Sequence, residues 1–251
     1  MSYAIEMEGV SIIRRGHAIL DNVTLGLEEG RCTVIMGTSG SGTSSLLKTA
    51  AGILSPDKGR VLAWKQDIDL MSAQEQFIFR EKMGFVFQDS ALWANLTGFQ
   101  NIALPFQFHR RRMSQEEIAA SIAAIAREFD FQTSLEYRPA DYSTGEGKII
   151  SYMRAMILKP QVLFLDDPTG SIDNILEKRV LDILIKRQAE GCTLIINTHN
   201  PAYTLRLADN LIIIKAGRIL EQGPASQVRA SGNAYVQGVL NGAPVIVPAN
   251  S

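Results

Sequence analysis

Residues 37–45 read GTSGSGTSS, set between an apolar run that ends at Met36 and a helix-like run from Ser45 to Ala51. Strand, glycine-rich loop and helix in that order form the setting in which a backbone cradles phosphate. Gly37, Gly40 and Gly42 let backbone N–H groups approach phosphate oxygens closely, and the helix N-terminus behind them adds a favourable dipole. Ser39, Ser41, Thr43, Ser44 and Ser45 complete the candidate cradle. The competing reading of the same residues is a tight strand-to-helix turn with no ligand.

The pattern G-x-x-x-x-G-K-[ST] calls for lysine at position 43, where this chain has Thr43. A charge-assisted hydrogen bond to phosphate is thereby lost, which should weaken binding about 10- to 100-fold unless another cation substitutes. Lys48 is the nearest candidate, but it lies more than a helical turn further on and is rotated away from the loop. Ser44 keeps the hydroxyl position that ligates Mg²⁺ in phosphate loops of this kind.

Around the loop, short β-branched runs alternate with amphipathic stretches, which predicts an α/β fold with a largely parallel sheet. The clearest strands are Thr33–Met36, Val162–Leu165, Thr193–Asn197 and Leu211–Ile214. Residues 88–160 differ, with helical periodicity over Ser114–Phe129, an acidic start at Glu116 and Glu117, and no clear strand; they read as an inserted helical subdomain. The nucleotide-binding core would comprise 1–87 and 161–225, with 226–251 as a C-terminal tail whose end, GAPVIVPANS, disfavours regular structure. At 46% hydrophobic residues the 251-residue chain can bury a substantial core. Lys and Arg total 25 against 26 Asp and Glu, so the net charge of −1 gives no electrostatic case for nucleic acid or for direct binding to an anionic membrane. Cys32 and Cys192 lack metal-ligand spacing and read as small core residues. The N-terminus lacks the features of a signal peptide, and no apolar run approaches the ~20 residues a transmembrane helix needs, so a cytoplasmic chain is expected.

The strand Val162–Leu165 is followed by Asp166 and Asp167, an acidic pair suited to holding Mg²⁺ and positioning water. In chain order stand GTSGSGTSS, FQD at Phe87–Asp89, YSTGE at Tyr142–Glu146, FLDDPTGSID at Phe164–Asp173, and NTH at Asn197–His199. Together these resemble an ABC ATPase over nearly the whole chain. The resemblance implies an α/β P-loop NTPase (RecA-like) core with an antiparallel β portion and an inserted helical subdomain.

It also implies roles. Asp166 would hold Mg²⁺ with Ser44 and Gln88, and Gln88 would link the site to a transmembrane partner. Asp167 stands where the family usually has a glutamate that polarises water; it is one methylene shorter, and a ~1 Å misplacement can cost ~10²-fold in rate. His199 matches the histidine that contacts the γ-phosphate. Ser143 and Gly145 match the signature loop that meets the partner subunit's nucleotide, but Thr144 replaces a glycine there and is expected to be strained or obstructive. The basic and glutamine residues usual after that loop are changed to Lys148, Ile149 and Ile150, whereas Arg154 is kept. Arg15 occupies the place of an adenine-stacking aromatic; a stacked guanidinium and a solvated surface arginine both remain open.

The segment FVFQDSALWANLTGFQNIALPF, the arginine near residue 15 and the GAPVIVP ending are similar to Mla-type (MCE-associated) ATPases, which move phospholipid between the membranes of double-membraned bacteria. That likeness implies ATP and Mg²⁺ as cofactors, a permease partner, and a dimer with a second copy or a paralogue to which the tail crosses. The chain would lie peripherally on the cytoplasmic face of the inner membrane, touching the membrane only through its partner. Two functions compete: an ATPase subunit with weak hydrolysis, and a non-hydrolysing pseudo-ATPase beside an active paralogue. A P-loop kinase would need a basic lid that the chain lacks. If residues 37–45 are the phosphate site, Thr43→Lys should tighten Mg-nucleotide binding about 10- to 100-fold by calorimetry; unchanged affinity would contradict the assignment.

Overall fold

The computed structural model describes residues 2–170 and 172–242. Ser171 and the part of the predicted tail beyond Gly242 lie outside the described residues. Two long antiparallel strands, β1 (Tyr3–Arg14) and β2 (His17–Glu28), open the chain and meet at a turn of Arg15 and Gly16. Both turn residues are left-handed, at φ +52° and +78°, as a two-residue hairpin loop requires. β3 (Cys32–Gly37) is buried along its whole length and leads into α1 (Thr43–Ala50), after which come β4 (Lys58–Ala63) and β5 (Gln66–Asp67). The helix expected over Ser45–Ala51 therefore begins earlier, at Thr43, because Gly42 supplies its N-cap.

Next come α2 (Ala73–Glu81), β6 (Met83–Val86), and three helices without an intervening strand: α3 (Gly98–His109), α4 (Gln115–Glu128) and α5 (Thr144–Met156). Each of α2 to α5 starts at a Ser or Thr whose side chain accepts from the N3 amide while an N3 Glu or Gln returns the bond. Ser72, Thr97, Ser114 and Ser143 are these caps, and such caps fix helix starts locally. Then follow β7 (Val162–Asp166), α6 (Asn174–Ala189), β8 (Thr193–Asn197), α7 (Pro201–Arg206), β9 (Asn210–Lys215), β10 (Arg218–Pro224), α8 (Ala225–Arg229) and α9 (Ala234–Leu240). The four strands read from sequence are present, three of them slightly extended.

The chain divides into two compact units, the first holding residues up to Leu70 and from Ile195 onward, the second Met71–Leu194. In the first, β2, β1, β4 and β5 form an antiparallel sheet in that order, while β3 pairs parallel with β9 and β9 antiparallel with β10. Helix α1 packs on β1, β2 and β3. Its Leu46 and Leu47 join Val34, Ile35, Leu211 and Ile213 among side chains at most 1% exposed. Burying such side chains is worth roughly 1.5–3 kcal/mol each, so this core fixes the loop that follows β3. The first part of the predicted tail also belongs here, with Val228 and Val236 of α8 and α9 fully buried.

In the second unit β6 and β7 pair parallel, and α5 packs on α3, α4 and β6. Helices α3, α4 and α5 fall between residues 88 and 160, and the compact unit that holds them spans Met71–Leu194. Gly84 of β6 lies so close to Ala155 of α5 that no Cβ would fit, which ties strand and helices into one body. Both cysteines are buried and free. Burial, helped by Asp209, pushes the Cys32 thiol well up, and burial pushes Cys192 up to about 12.

Candidate functional site

The predicted site residues divide between the two units, and each group has its own geometry. In the first unit the glycine-rich loop leaves β3 at Gly37, where a Cβ would strike the Ser41 side chain and lie 2.7 Å from the Ile214 carbonyl oxygen. Gly40 and Gly42 are left-handed, at φ +76° and +101°, and a Cβ on Gly42 would lie 2.6 Å from the Ile19 carbonyl oxygen. Gly42 caps α1 with no side-chain hydrogen bond, so the first amides of the helix are not covered by a capping side chain. Ser41 is 4% exposed, and among the described residues its hydroxyl has no hydrogen-bond partner. A buried orphan hydroxyl beside a helix N-terminus suits a bound anion. Thr43 is nearly buried in the first turn of α1 and contributes no charge. Ser39 is exposed, Ser45 is half-buried, and Ser44 Oγ accepts a hydrogen bond from Asn197 Nδ2 at 3.2 Å.

Asn197 ends β8, and Asn200 caps α7 by accepting from the Ala202 amide at 2.9 Å, with Pro201 in its first turn. His199 is exposed in the short link between those two fixed points. Arg15 is exposed at the β1–β2 tip. One residue near the loop was missed in the sequence. Tyr235 of α9 donates to the Ile214 carbonyl at 3.2 Å, and its hydroxyl lies 3.1 Å from Thr38 Oγ1. The Lys215 ammonium sits 4.8 Å above its ring. The signal was the spacing of Tyr235, Val236 and Val239, one buried helical face within the segment assigned to a tail.

In the second unit Asp166 closes β7 and is 1% exposed, while the half-buried Asp167 follows in the left-handed region at φ +48°. Aspartate tolerates that conformation better than most residues. A Cβ on Gly170 would come within 2.9 Å of Asp167 Oδ2, so the glycine gives the carboxylate its room. Tyr152 of α5 donates to the Pro168 carbonyl at 3.0 Å and steadies this turn. After β6, Gln88 is exposed, and Ser90 and Ala91 are left-handed, at φ +63° and +44°. Helix α5 grips that loop twice. Arg154 donates to the Ser90 carbonyl at 3.0 Å and the Ala91 carbonyl at 2.8 Å; Lys148 Nζ donates to the carbonyls of Phe87 at 2.8 Å and Gln88 at 3.1 Å.

Lys148 is 1% exposed. Burial pulls its ammonium below the usual lysine range, opposed by the nearby carboxylates of Asp167, Asp166 and Asp89. The sequence recorded it only as a departure from a familiar pattern. The missed signal is that it lies three and four residues before the buried Ser151 and Tyr152, on the inward face of α5.

The signature-like loop corrects one expectation. Thr144 is the first residue of α5, and neither it nor Gly145 is left-handed, so the β-branched side chain carries no backbone strain. Ser143 Oγ donates to Glu146 Oε2 at 2.7 Å and accepts from the Glu146 amide at 3.2 Å. Hydrogen bonds from Thr133 and then Ser143 hold the Glu146 carboxyl below the usual range. Among the described residues no group of three or more His, Cys, Asp or Glu could by itself hold a metal ion.

The family model described as ABC transporter matches residues 20–170. The intermembrane phospholipid transport system ATP-binding protein MlaF of Haemophilus influenzae is 30% identical over 240 residues, covering 95% of this chain and 90% of that protein. The sulfate/thiosulfate import ATP-binding protein CysA of Caulobacter vibrioides is 33% identical over 88% of this chain and 65% of its own length. A solved ATP-binding cassette, dimeric in a post-hydrolysis state bound to ADP and Pi, superposes with a TM-score of 0.81 at 26% identity, covering 88% of this chain and 98% of that one. The chain belongs to the ABC transporter family, as an ATP-binding subunit with the P-loop NTPase fold. Within that family it is similar to the Mla-type ATPases. ABC ATPases generally bind ATP with Mg²⁺ and act as dimers with transmembrane permeases.

Tyr235→Phe removes the hydroxyl that joins α9 to Thr38 and Ile214. A hydrogen bond of this kind is worth about 0.5–1.5 kcal/mol. The expected outcome is a lower melting temperature and nucleotide affinity weakened a few-fold by calorimetry, with the secondary structure unchanged by circular dichroism.

Proposed function

We propose that this chain is the nucleotide-binding subunit of a lipid-transporting ABC system, binding Mg-ATP at a dimer interface with reduced affinity and hydrolysing it slowly. The observation that carries this reading is a phosphate loop whose glycines, helix terminus and orphaned Ser41 hydroxyl suit an anion while Thr43 stands in place of lysine. Gly37, Ser39, Gly40, Ser41, Gly42, Thr43, Ser44 and Ser45 would form the cradle. Ser44, Gln88 and Asp166 would hold Mg²⁺, Asp167 and His199 would position water and the γ-phosphate with Gln88, and Arg15 would face the adenine. Ser143 and Gly145 would address the nucleotide of the second subunit, itself a copy or a paralogue.

The lipid assignment draws support from the phospholipid-system relative, which is 30% identical and matched over 90% of its length. Among the described residues no helix is long and apolar enough to cross a membrane. A peripheral place on the cytoplasmic face of the inner membrane, held there by a permease, is the arrangement we infer. The pseudo-ATPase reading draws support from the short, left-handed Asp167 and from the Ser143 hydroxyl, which is already engaged by Glu146.

Purified alone, the chain should turn over ATP well below the ~1–10³ s⁻¹ usual for enzymes. His199→Ala should lower that rate further, and Thr43→Lys with Asp167→Glu should raise it at least about tenfold. Fast turnover by the unaltered chain, insensitive to His199→Ala, would overturn the proposal.

A further inference from the structure

A lysine whose Nζ is sealed from water, with two main-chain carbonyls as acceptors and carboxylates close by, is an uncommon feature in a core. Lys148 has all three. Its carbon stem runs along the inward face of α5, and its ammonium meets the loop after β6 at Phe87 and Gln88, at 2.8 and 3.1 Å. Asp166, Asp167 and Asp89 are the carboxylates that act on it. Arg154, on the same helix, holds two further carbonyls of the loop, those of Ser90 and Ala91. Four of the five carbonyls from Phe87 to Ala91, two of them on left-handed residues, are thereby held by two cationic side chains of one helix. Within the loop the Ser90 amide donates to the Phe87 carbonyl at 3.2 Å.

We propose that Lys148 is a positioning residue of this site: its ammonium fastens the Gln88 loop to α5 and supplies a fixed counter-charge to the Asp166, Asp167 and Asp89 carboxylates. The loop is then held in place, and the acidic cluster partly neutralised, before any divalent cation arrives. Two consequences follow from elementary electrostatics. Loss of the ammonium frees the loop, and it also makes the acidic cluster more attractive to a divalent ion.

Two substitutions in the full-length chain separate these effects. Lys148→Gln can still donate to a carbonyl but carries no charge; Lys148→Met fills the space and does neither. Amide hydrogen exchange over residues 87–92 reads the loop, and electron paramagnetic resonance titration with Mn²⁺, with and without ADP, reads the cluster. The expected result for Lys148→Met is exchange at least about tenfold faster in that loop and Mn²⁺ bound about tenfold tighter. Lys148→Gln should bind Mn²⁺ more tightly while retaining most of the loop's protection. Lys148→Arg, which restores the charge, should return Mn²⁺ affinity towards that of the unaltered chain.

A lysine present only for packing would behave differently, because methionine fills much of the same space without carrying a charge. Unchanged exchange and unchanged Mn²⁺ affinity in a folded Lys148→Met protein would overturn the proposal. Should that variant fail to fold, unchanged Mn²⁺ affinity in Lys148→Gln would do the same. The counter-charge half rests on the reading of Asp166 and Gln88 as a Mg-nucleotide site, and the two fail separately. Absence of Mn²⁺ binding with ADP in every protein, the unaltered chain included, removes that reading, and loop exchange alone then decides the clamp.

Discussion

Backbone meets backbone without side chains at the glycine-rich loop, and the rest of the first unit depends on that contact. The Ile19 carbonyl of β2 lies 2.6 Å from where a Cβ would stand on Gly42, and equally 2.6 Å from where one would stand on Gly217 in the turn before β10. The Gly217 amide donates to the Ser41 carbonyl at 2.9 Å, and the Asp21 amide donates to the Gly217 carbonyl at 2.9 Å. Three segments distant in sequence close on one another through peptide groups alone, and both glycines are left-handed. No other residue fits there without strain and collision together. The shape of the loop is thus fixed by its frame. A missing lysine at position 43 removes charge from the cradle and leaves its form intact.

The acidic side is organised on a different principle. One helix, α5, serves as a spine from which side chains reach outward: Lys148 and Arg154 to the loop after β6, and Tyr152 to the turn after β7. Its N-terminus is closed by the Ser143–Glu146 capping box, so the residue that resembles a signature serine also has a structural role. A helix that supports both the Gln88 loop and the aspartate turn makes their positions interdependent, and the placement of Asp166 and Asp167 within this unit follows from α5 as much as from β7.

Much of this was legible in the sequence because it rests on local chemistry. Buried strands show as unbroken β-branched runs since both faces are covered, and the acidic start at Glu116 and Glu117 marks the beginning of α4. The glycine-rich loop could be read residue by residue for the same reason. What escaped lies in long-range contacts. Nothing local signals that Tyr235 reaches Thr38, nearly two hundred positions away, or that Lys148 points inward to carbonyls some sixty residues earlier. The strain expected at Thr144 failed for a simpler reason: the residue begins a helix rather than lying in an open loop, and helical dihedrals suit threonine.

If the loop keeps its form and lacks only its cation, Mg²⁺ must supply most of the charge that neutralises a bound polyphosphate. Calorimetric titration of the unaltered chain with ATP, in Mg²⁺ and again in a chelator, tests this directly. Weak, saturable binding is expected in Mg²⁺, and it should disappear when the metal is removed. Absence of binding at millimolar Mg-ATP, or equal binding with and without the metal, would contradict it.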